Sequence, residues 1–291
     1  MSAEQQAYKT PGISSGLFEV FKNPFLTGLI VHKELRARYR GSLFGMLWSY
    51  AKPLTQFTVF YFAIGVFMRM NKAIPDYVIY MFSGVILINY FSEVLGNATR
   101  AVVGNGALVK KIYLPRELFP VSALWVALVH FVPQLVVLVA GALLFGWAPS
   151  LTQIAAILVG FLIVSCFALG LGLFAGALNV FYRDAENFVD LALMLVTWIS
   201  PVLYTWQMVY EVASSKGMEW IWYLYQLNPI SVAVELFHYG FWQSATTPPE
   251  ISALPPSMFN HTAIAALVSL LTLVVGELYF RRADARFAQE L

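Results

Sequence analysis

Charge is scarce in this chain of 291 residues: Asp, Glu, Lys and Arg together make up 12%. A water-facing domain usually carries about 25%. Hydrophobic residues reach 59%, more than one soluble core could hide, so lipid must solvate much of the surface. Cysteine is nearly absent. Cys166 alone, inside an apolar run, excludes a disulfide framework and leaves the redox compartment undetermined. A formal net charge of only +2 excludes bulk attraction to a nucleic acid or other polyanion. The chain has no Gly-Lys dipeptide, hence no phosphate-cradling Walker A loop. It has no His-Glu-x-x-His, no Gly-x-Ser-x-Gly and no cysteine-pair metal motif. If ATP drives its work, another chain hydrolyses it. No repeat of fixed period is evident. The largely polar stretch 1–44 lacks a cleavable apolar core, so the first membrane helix is expected to act as the insertion signal.

What the chain does have is long apolar runs. A helix crosses a bilayer with about 20 residues. Six segments qualify: 53–69, 77–97, 118–146, 153–181, 188–204 and 262–280. Lys52 and Arg69, at the edges of the short first segment, are placed to snorkel. The connections settle the expected orientation. Of 18 Lys and Arg, only Arg69, Lys72 and Lys216 fall on the side away from the termini, leaving 18 − 3 = 15 on the other. The positive-inside rule then puts both ends in the cytoplasm. A single all-α membrane domain is predicted, with a cytoplasmic stretch 1–44, a six-helix body over 53–280 and a tail 281–291. The external stretch 205–261 is too apolar and aromatic through Trp242 for a solvated loop. It reads as re-entrant or interfacial helices, followed by an extended connection with Pro248, Pro249, Pro255 and Pro256.

Several positions could carry function. Residues 24–44 suggest an amphipathic interface helix, with Lys33, Arg36 and Arg40 on one face and Glu34 and Arg38 as an i,i+4 pair. That cationic stripe is either a positive-inside anchor or a surface for substrate phosphates. The connection from Arg100 to Arg116 suits a short helix presented to a cytoplasmic partner or a membrane-lying connector. Tyr182, Arg183, Asp184 and Glu186 form a polar docking loop, since two carboxylates make a poor metal site. His130 near mid-membrane is expected to bond between helices, and Glu277 to pair with Arg281. No midplane carboxylate is evident, which disfavours an ion-coupled carrier. Ala168, Gly172 and Gly176 form a small-residue packing face, within the chain or across a dimer. The external aromatics, among them Tyr204, Trp206 and Trp222, read as an interfacial belt or as a surface on which sugar rings stack.

Three stretches, in order, resemble a known family. Arg38-Tyr-Arg-Gly-Ser-Leu-Phe-Gly-Met-Leu-Trp-Ser-Tyr-Ala-Lys-Pro53 is similar to the entry into the first membrane helix of type-2 ABC exporter permeases for polysaccharides. Lys110-Lys-Ile-Tyr-Leu-Pro-Arg-Glu-Leu-Phe-Pro120 resembles their first coupling region. Leu178-Asn-Val-Phe-Tyr-Arg-Asp184, with Trp198-Ile-Ser-Pro-Val-Leu-Tyr204 and Leu227-Asn-Pro229, resembles the second coupling loop and the fifth helix with its external hairpins. The resemblance implies a permease of the bacterial cytoplasmic membrane, working as a homodimer with two copies of an ABC ATPase that binds ATP and Mg. It implies a cargo of O-antigen, teichoic acid or galactan type, built on a polyprenyl diphosphate lipid. Asn105, Lys110, Lys111, Arg183, Asp184 and Glu186 would contact the ATPase. Lys33, Arg36 and Arg40 would stand at a lateral gate between the first and fifth membrane helices. Trp198, Tyr204, Trp206 and Trp222 would line the glycan path. Ala51-Lys-Pro53 and the run from Gly104 to Lys111 are similar to actinobacterial members, which would favour a galactan. A permease for another lipid or a drug, or a glycan-transferring membrane enzyme, are the competing readings.

Overall fold

The computed structural model describes residues 16–112, 114–243 and 252–291, and these are helical with no strands. Four helices are long and apolar enough to cross a membrane: α5 (Tyr77–Gly104), α7 (Leu118–Leu144), α8 (Leu151–Phe181) and α13 (Met258–Asp284). The other two predicted spans are less regular. The first begins with a 3-10 turn at Gly45–Leu47, continues as α3 (Trp48–Phe60) and loosens into π-helical turns over Tyr61–Phe67. It stops where Arg69 adopts a left-handed φ of 61°. The fifth, α9 (Ala185–Ile199), has 15 residues and ends at Ser200, so the stretch 200–204, expected to be helical, is not. Ser200-Pro201 explains this, because a residue before proline is pushed out of the helical region; Ser200 has ψ 152°. The remaining helices are α1 (Leu17–Lys22), α2 (Pro24–Tyr39), α4 (Met70–Ala73), α6 (Gly106–Lys111), α10 (Trp206–Ser215), α11 (Glu219–Leu227), α12 (Pro229–Phe237) and α14 (Phe287–Glu290). Tyr113, Pro248 and Pro249 lie outside the described residues.

α5 is the hub. It buries 72% of its apolar window, against 22% for α13 at the periphery. α8 packs on both helices, and the small-residue face predicted on it acts within the chain. A Cβ on Gly172 would stand 2.6 Å from the Ala98 Cβ of α5, and one on Gly176 would stand 2.8 Å from the Ala98 carbonyl oxygen. On the opposite side, Gly170 meets the α13 backbone at Leu273, where an added Cβ would sit 2.6 Å from its nitrogen. Gly276 in turn leaves room for the Gly170 carbonyl. Lipid offers no hydrophobic drive for helix pairing, so such close backbone approach supplies the contact.

The stretch between α9 and α13, expected to be helical and apolar through Trp242, folds into the short helices α10, α11 and α12. All nine residues of α12 are buried, and π-helical turns over His238–Trp242 continue it. Non-helical carbonyls at 200–205 are buried among apolar side chains, where an unpaired polar group is costly. Tyrosines resolve this. The Tyr80 hydroxyl donates to the Pro201 carbonyl at 3.1 Å, with the Tyr204 carbonyl at 2.8 Å, and the Tyr77 hydroxyl donates to the Leu203 carbonyl at 3.1 Å. Trp242 Nε1 likewise donates to the Pro75 carbonyl at 2.7 Å, and Trp147 Nε1 to the Gly240 carbonyl at 2.8 Å.

At the other end, both ends of the described chain meet. Leu17 and Val20 of α1, Val109 of α6, Phe280 of α13 and Phe287 of α14 share one apolar cluster. Arg116 pairs with Asp284 at 2.9 Å and lies over the Phe287 ring. Glu277 accepts the Leu17 N–H at 3.0 Å instead of pairing with Arg281. Replacing Gly276 by leucine forces α8 and α13 apart and is expected to cost about 1–3 kcal/mol or more. Gly141→Ala, with nothing near its missing Cβ, should be neutral or stabilising by up to about 1 kcal/mol. Thermal unfolding in detergent, read by the monodisperse fraction, checks the opposite signs.

Candidate functional site

A cavity of about 960 Å³ opens between the end of α2, α3, α5, α7 and α9. α5 lines it with Asn89, Ser92, Glu93, Gly96, Asn97 and Arg100. These recur every three or four residues, so they share one face of the helix. At 1.5 Å per residue the stripe runs for about 16 Å, roughly half the hydrocarbon thickness. The period-3.6 polar pattern inside an apolar helix was its available sequence signal. Opposite are Trp48, Gln56 and Phe60 of α3, His130 and Gln134 of α7, and Thr197 and Trp198 of α9. Asn89 Nδ2 and Gln134 Oε1 are buried with no hydrogen-bond partner among the described residues. Phe60 and Trp198 meet edge-on with centroids 6.1 Å apart, joining α3 to α9 across the cavity.

Near the α2 end the wall is a charged network. Arg38 donates to Glu93 Oε1 at 2.5 Å and to Asn97 Oδ1 at 3.2 Å. His130 Nδ1 lies 2.7 Å from the same Glu93 oxygen, and its Nε2 lies 2.5 Å from the Tyr39 hydroxyl. Tyr39 also meets Ser49 Oγ at 2.5 Å. A proton on Nδ1 satisfies every member: Nδ1–H donates to Glu93, Tyr39 donates to Nε2, and Ser49 donates to Tyr39. The interhelical bond expected of His130 thus exists and reaches two elements. The expected Glu34–Arg38 pair gives way to Arg38–Glu93, because Arg38 turns into the cavity. Arg100 ties α9 to α5: its Nε stands 3.6 Å from Glu186, and its guanidinium also bonds Asp190 and the Gly96 carbonyl.

A smaller cavity of about 450 Å³ shares Arg38, Asn97 and Arg100 with the first and is bounded by Lys33, Glu34 and Asn105. Lys33 donates to Asn105 Oδ1 and, at 3.1 Å, to Glu34. Arg36 is exposed and lines neither cavity. Arg40 does not share the face of Lys33 and Arg36, because α2 ends at Tyr39 and Arg40 has extended geometry at φ −62°, ψ 125°. Nor is α2 amphipathic around its axis. Its apolar residues crowd the first half, from Phe25 to Val31, and its charges the second, from Lys33 to Arg38. Lys110 and Lys111 are exposed on α6, and Arg183 and Asp184 are exposed at the turn before α9. Among the described residues no group of three or more His, Cys, Asp or Glu could hold a metal.

Of the aromatics, Trp198 lines the cavity, and the Tyr204 hydroxyl donates to its carbonyl at 2.8 Å. Trp206 and Trp222 lie apart from the cavity, on α10 and α11. Their centroids are 5.8 Å apart, with Tyr210 5.3 Å and Tyr225 5.6 Å from Trp222. Arg38→Met should lower unfolding free energy by about 1–2 kcal/mol by stranding a half-buried carboxylate, and Glu93→Gln by less. The double variant should cost less than the sum, since both act on one contact; thermal melts of the purified variants measure it.

Comparison with known proteins identifies the family. The family described as "ABC-2 type transporter" matches residues 26–242. An O-antigen export system permease protein RfbA of Klebsiella pneumoniae is 28% identical over 267 residues, covering 90% of this chain and 93% of its own length. A second from that organism is 27% identical over 263 residues, with the same coverage. One from Myxococcus xanthus is 32% identical over 175 residues, which is 60% of this chain and 66% of the relative. Having matched well over half of its length, the chain belongs to the ABC-2 type transporter family.

Proposed function

We propose that this chain is the membrane-spanning subunit of an ATP-driven exporter that moves a lipid-linked polysaccharide out across the cytoplasmic membrane. The observation that carries the reading is the polar stripe of α5 inside the cavity between α3 and α9. Its hydrogen-bonding groups extend far into an otherwise apolar helix. Asn89 and Gln134 offer an unpaired donor and acceptor, and Trp48 and Trp198 offer ring faces, which together suit a hydroxyl-rich sugar chain. The names of the Klebsiella and Myxococcus relatives support the same cargo class.

The finer picture follows from the same reading. Six spans would cross the membrane, with α3 and its π turns as the first and α9 as the fifth, both termini being cytoplasmic. The cavity would be the lateral entry for a polyprenyl diphosphate headgroup, with Arg38 at its α2 end and Lys33 and Arg36 on the approach. Two copies would pair, and two ATPase subunits would bind ATP and Mg. The exposed Lys110, Lys111, Arg183 and Asp184 would meet those subunits. Trp206 and Trp222 would meet the glycan on leaving.

Co-purification of tagged chain from its native membrane should return a stoichiometric ATPase bearing a Walker A loop. A chain that comes alone would remove the exporter reading. In proteoliposomes of the complex, Asn89→Leu with Gln134→Leu should lower glycan export about tenfold while leaving assembly intact, matching one or two lost hydrogen bonds to the cargo. Unchanged export at equal protein level would separate the cavity from the glycan path.

A further inference from the structure

One group of buried polar side chains takes no part in either cavity. It lies where α11, α12, the stretch 200–205 and the Tyr77 end of α5 come together. Glu235 of α12 is 1% exposed. Its Oε1 accepts from the Tyr225 hydroxyl of α11 at 3.0 Å, while its Oε2 is buried with no hydrogen-bond partner among the described residues. His238 Nε2, one turn further on, and both ends of the Gln226 amide, next to Tyr225, are in the same condition.

A carboxyl so placed needs either a cation or a proton, and no cation is at hand. Among the described residues no Lys, Arg or His forms an ion pair with it. α8, packed along α12, carries no Asp, Glu, Lys or Arg. α13 has His261 near this end, and its acids and arginines stand at the other. From α5, the stretch 200–205 and α11 come only the phenols of Tyr80, Tyr204 and Tyr225. The charged residues of α5, Glu93 and Arg100, belong to the cavity, and Glu219 of α11 is exposed. His238 stacks on Tyr80 with centroids 3.7 Å apart, and its Nε2 points at Gly84 of α5, where a Cβ would stand 3.3 Å away. Burying a lone carboxylate costs far more than burying the acid. The acid also gains an O–H donor that the carboxylate lacks.

The Tyr225–Glu235 bond closes a turn. α11 and α12 are joined at Asn228-Pro229, where Asn228 caps α12 by accepting the Ile230 N–H at 3.1 Å. Tyr225 and Glu235 stand on either side, so their bond holds α11 onto the buried α12. The Tyr225 ring stacks on Trp222, which meets Trp206 and Tyr210 of α10. A shift of α11 therefore carries that aromatic cluster with it.

We infer that Glu235 is a proton-binding site: as a neutral acid it latches α11 to α12, and release of its proton to solution frees α10 and α11. That the solution in question is the external one rests on the exporter reading above.

The test uses the purified full-length chain. Infrared difference spectra of wild type against Glu235→Gln at neutral pH should show a carboxylic-acid C=O band that belongs to Glu235 and fades at high pH. Thermal melts from about pH 5 to pH 9 read the same proton. An unfolded glutamate releases it above about pH 4.3, whereas the folded chain keeps it. Stability is therefore greatest at low pH and falls as pH rises, by up to about tenfold in the folded-to-unfolded ratio per pH unit. Glu235→Gln, which cannot ionise, should lack that fall. Tyr225→Phe removes a donor that favours the carboxylate, so its fall should extend to higher pH. Spin labels at Leu224→Cys of α11 and Leu270→Cys of α13, both exposed, in a Cys166→Ala background should separate differently once the acid band is gone, and not in Glu235→Gln. Absence of the band, or melting profiles of wild type and Glu235→Gln that run parallel, would overturn the proton site. Should Glu235→Gln not fold, an unshifted Tyr225→Phe profile would do the same. A label distance that ignores the loss of the band would overturn the latch. Failure to co-purify an ATPase would remove the exporter reading and leave these readouts standing.

Discussion

The backbones of α5, α8 and α13 approach one another closely because glycine leaves no side chain between them. In lipid, burial of apolar surface does not favour one helix pairing over another, so dispersion contact over short distances has to do it. Gly172 and Gly176 let α8 lie on Ala98 of α5, and Gly170 with Gly276 brings α13 onto the other side of α8. α5 is thereby enclosed over most of its length. A helix so enclosed can carry a polar stripe that an isolated span could not, because its polar groups face protein or cavity instead of hydrocarbon. The cavity, its charged network and its links to α2 and α9 all depend on that placement.

The polar connections obey the same constraint. Backbone that leaves helical geometry among apolar side chains must find partners, and at 200–205 it finds the hydroxyls of Tyr77 and Tyr80. Charges near the cavity are likewise bonded rather than free: Arg38 to Glu93, Arg100 to Glu186 and Asp190, Lys33 to Glu34 and Asn105. α5 supplies a member of nearly every such contact. It therefore connects the helix α2, the short helix α9 and the short helix α6. A buried helix with polar attachments on several sides holds these elements together, whereas separate surface pairs would be weakly held.

Much of the fold was legible because membrane helices announce themselves by length and hydropathy. Four long spans, the helix before the first span, the short α6 and the buried segment through Trp242 were all readable from apolar runs and their interruptions. Boundaries were less so. The apolar run of the fifth predicted span continues to 204, yet Ser200-Pro201 ends the helix at Ile199. The site was legible only in outline. Lys33, Arg36 and Arg40 share a helical face only while the helix lasts, and it stops at Tyr39. Arg38 looked like a partner of Glu34, its neighbour on the helix surface, because sequence spacing displays local pairs and hides those that need a second helix.

By itself, then, the sequence determined that this is an all-helical membrane protein without a nucleotide-binding loop of its own, since composition, run length and missing motifs are properties of the chain alone. Its ordered motifs also determined the family. Tertiary structure decided which polar residues face one another. Arg38 meets Glu93 across 55 positions, Lys33 meets Asn105 across 72, and Arg100 meets Asp190 across 90. Contacts between residues so far apart in the chain are set by which helix faces pack together. That packing depends on where small residues allow backbones to touch.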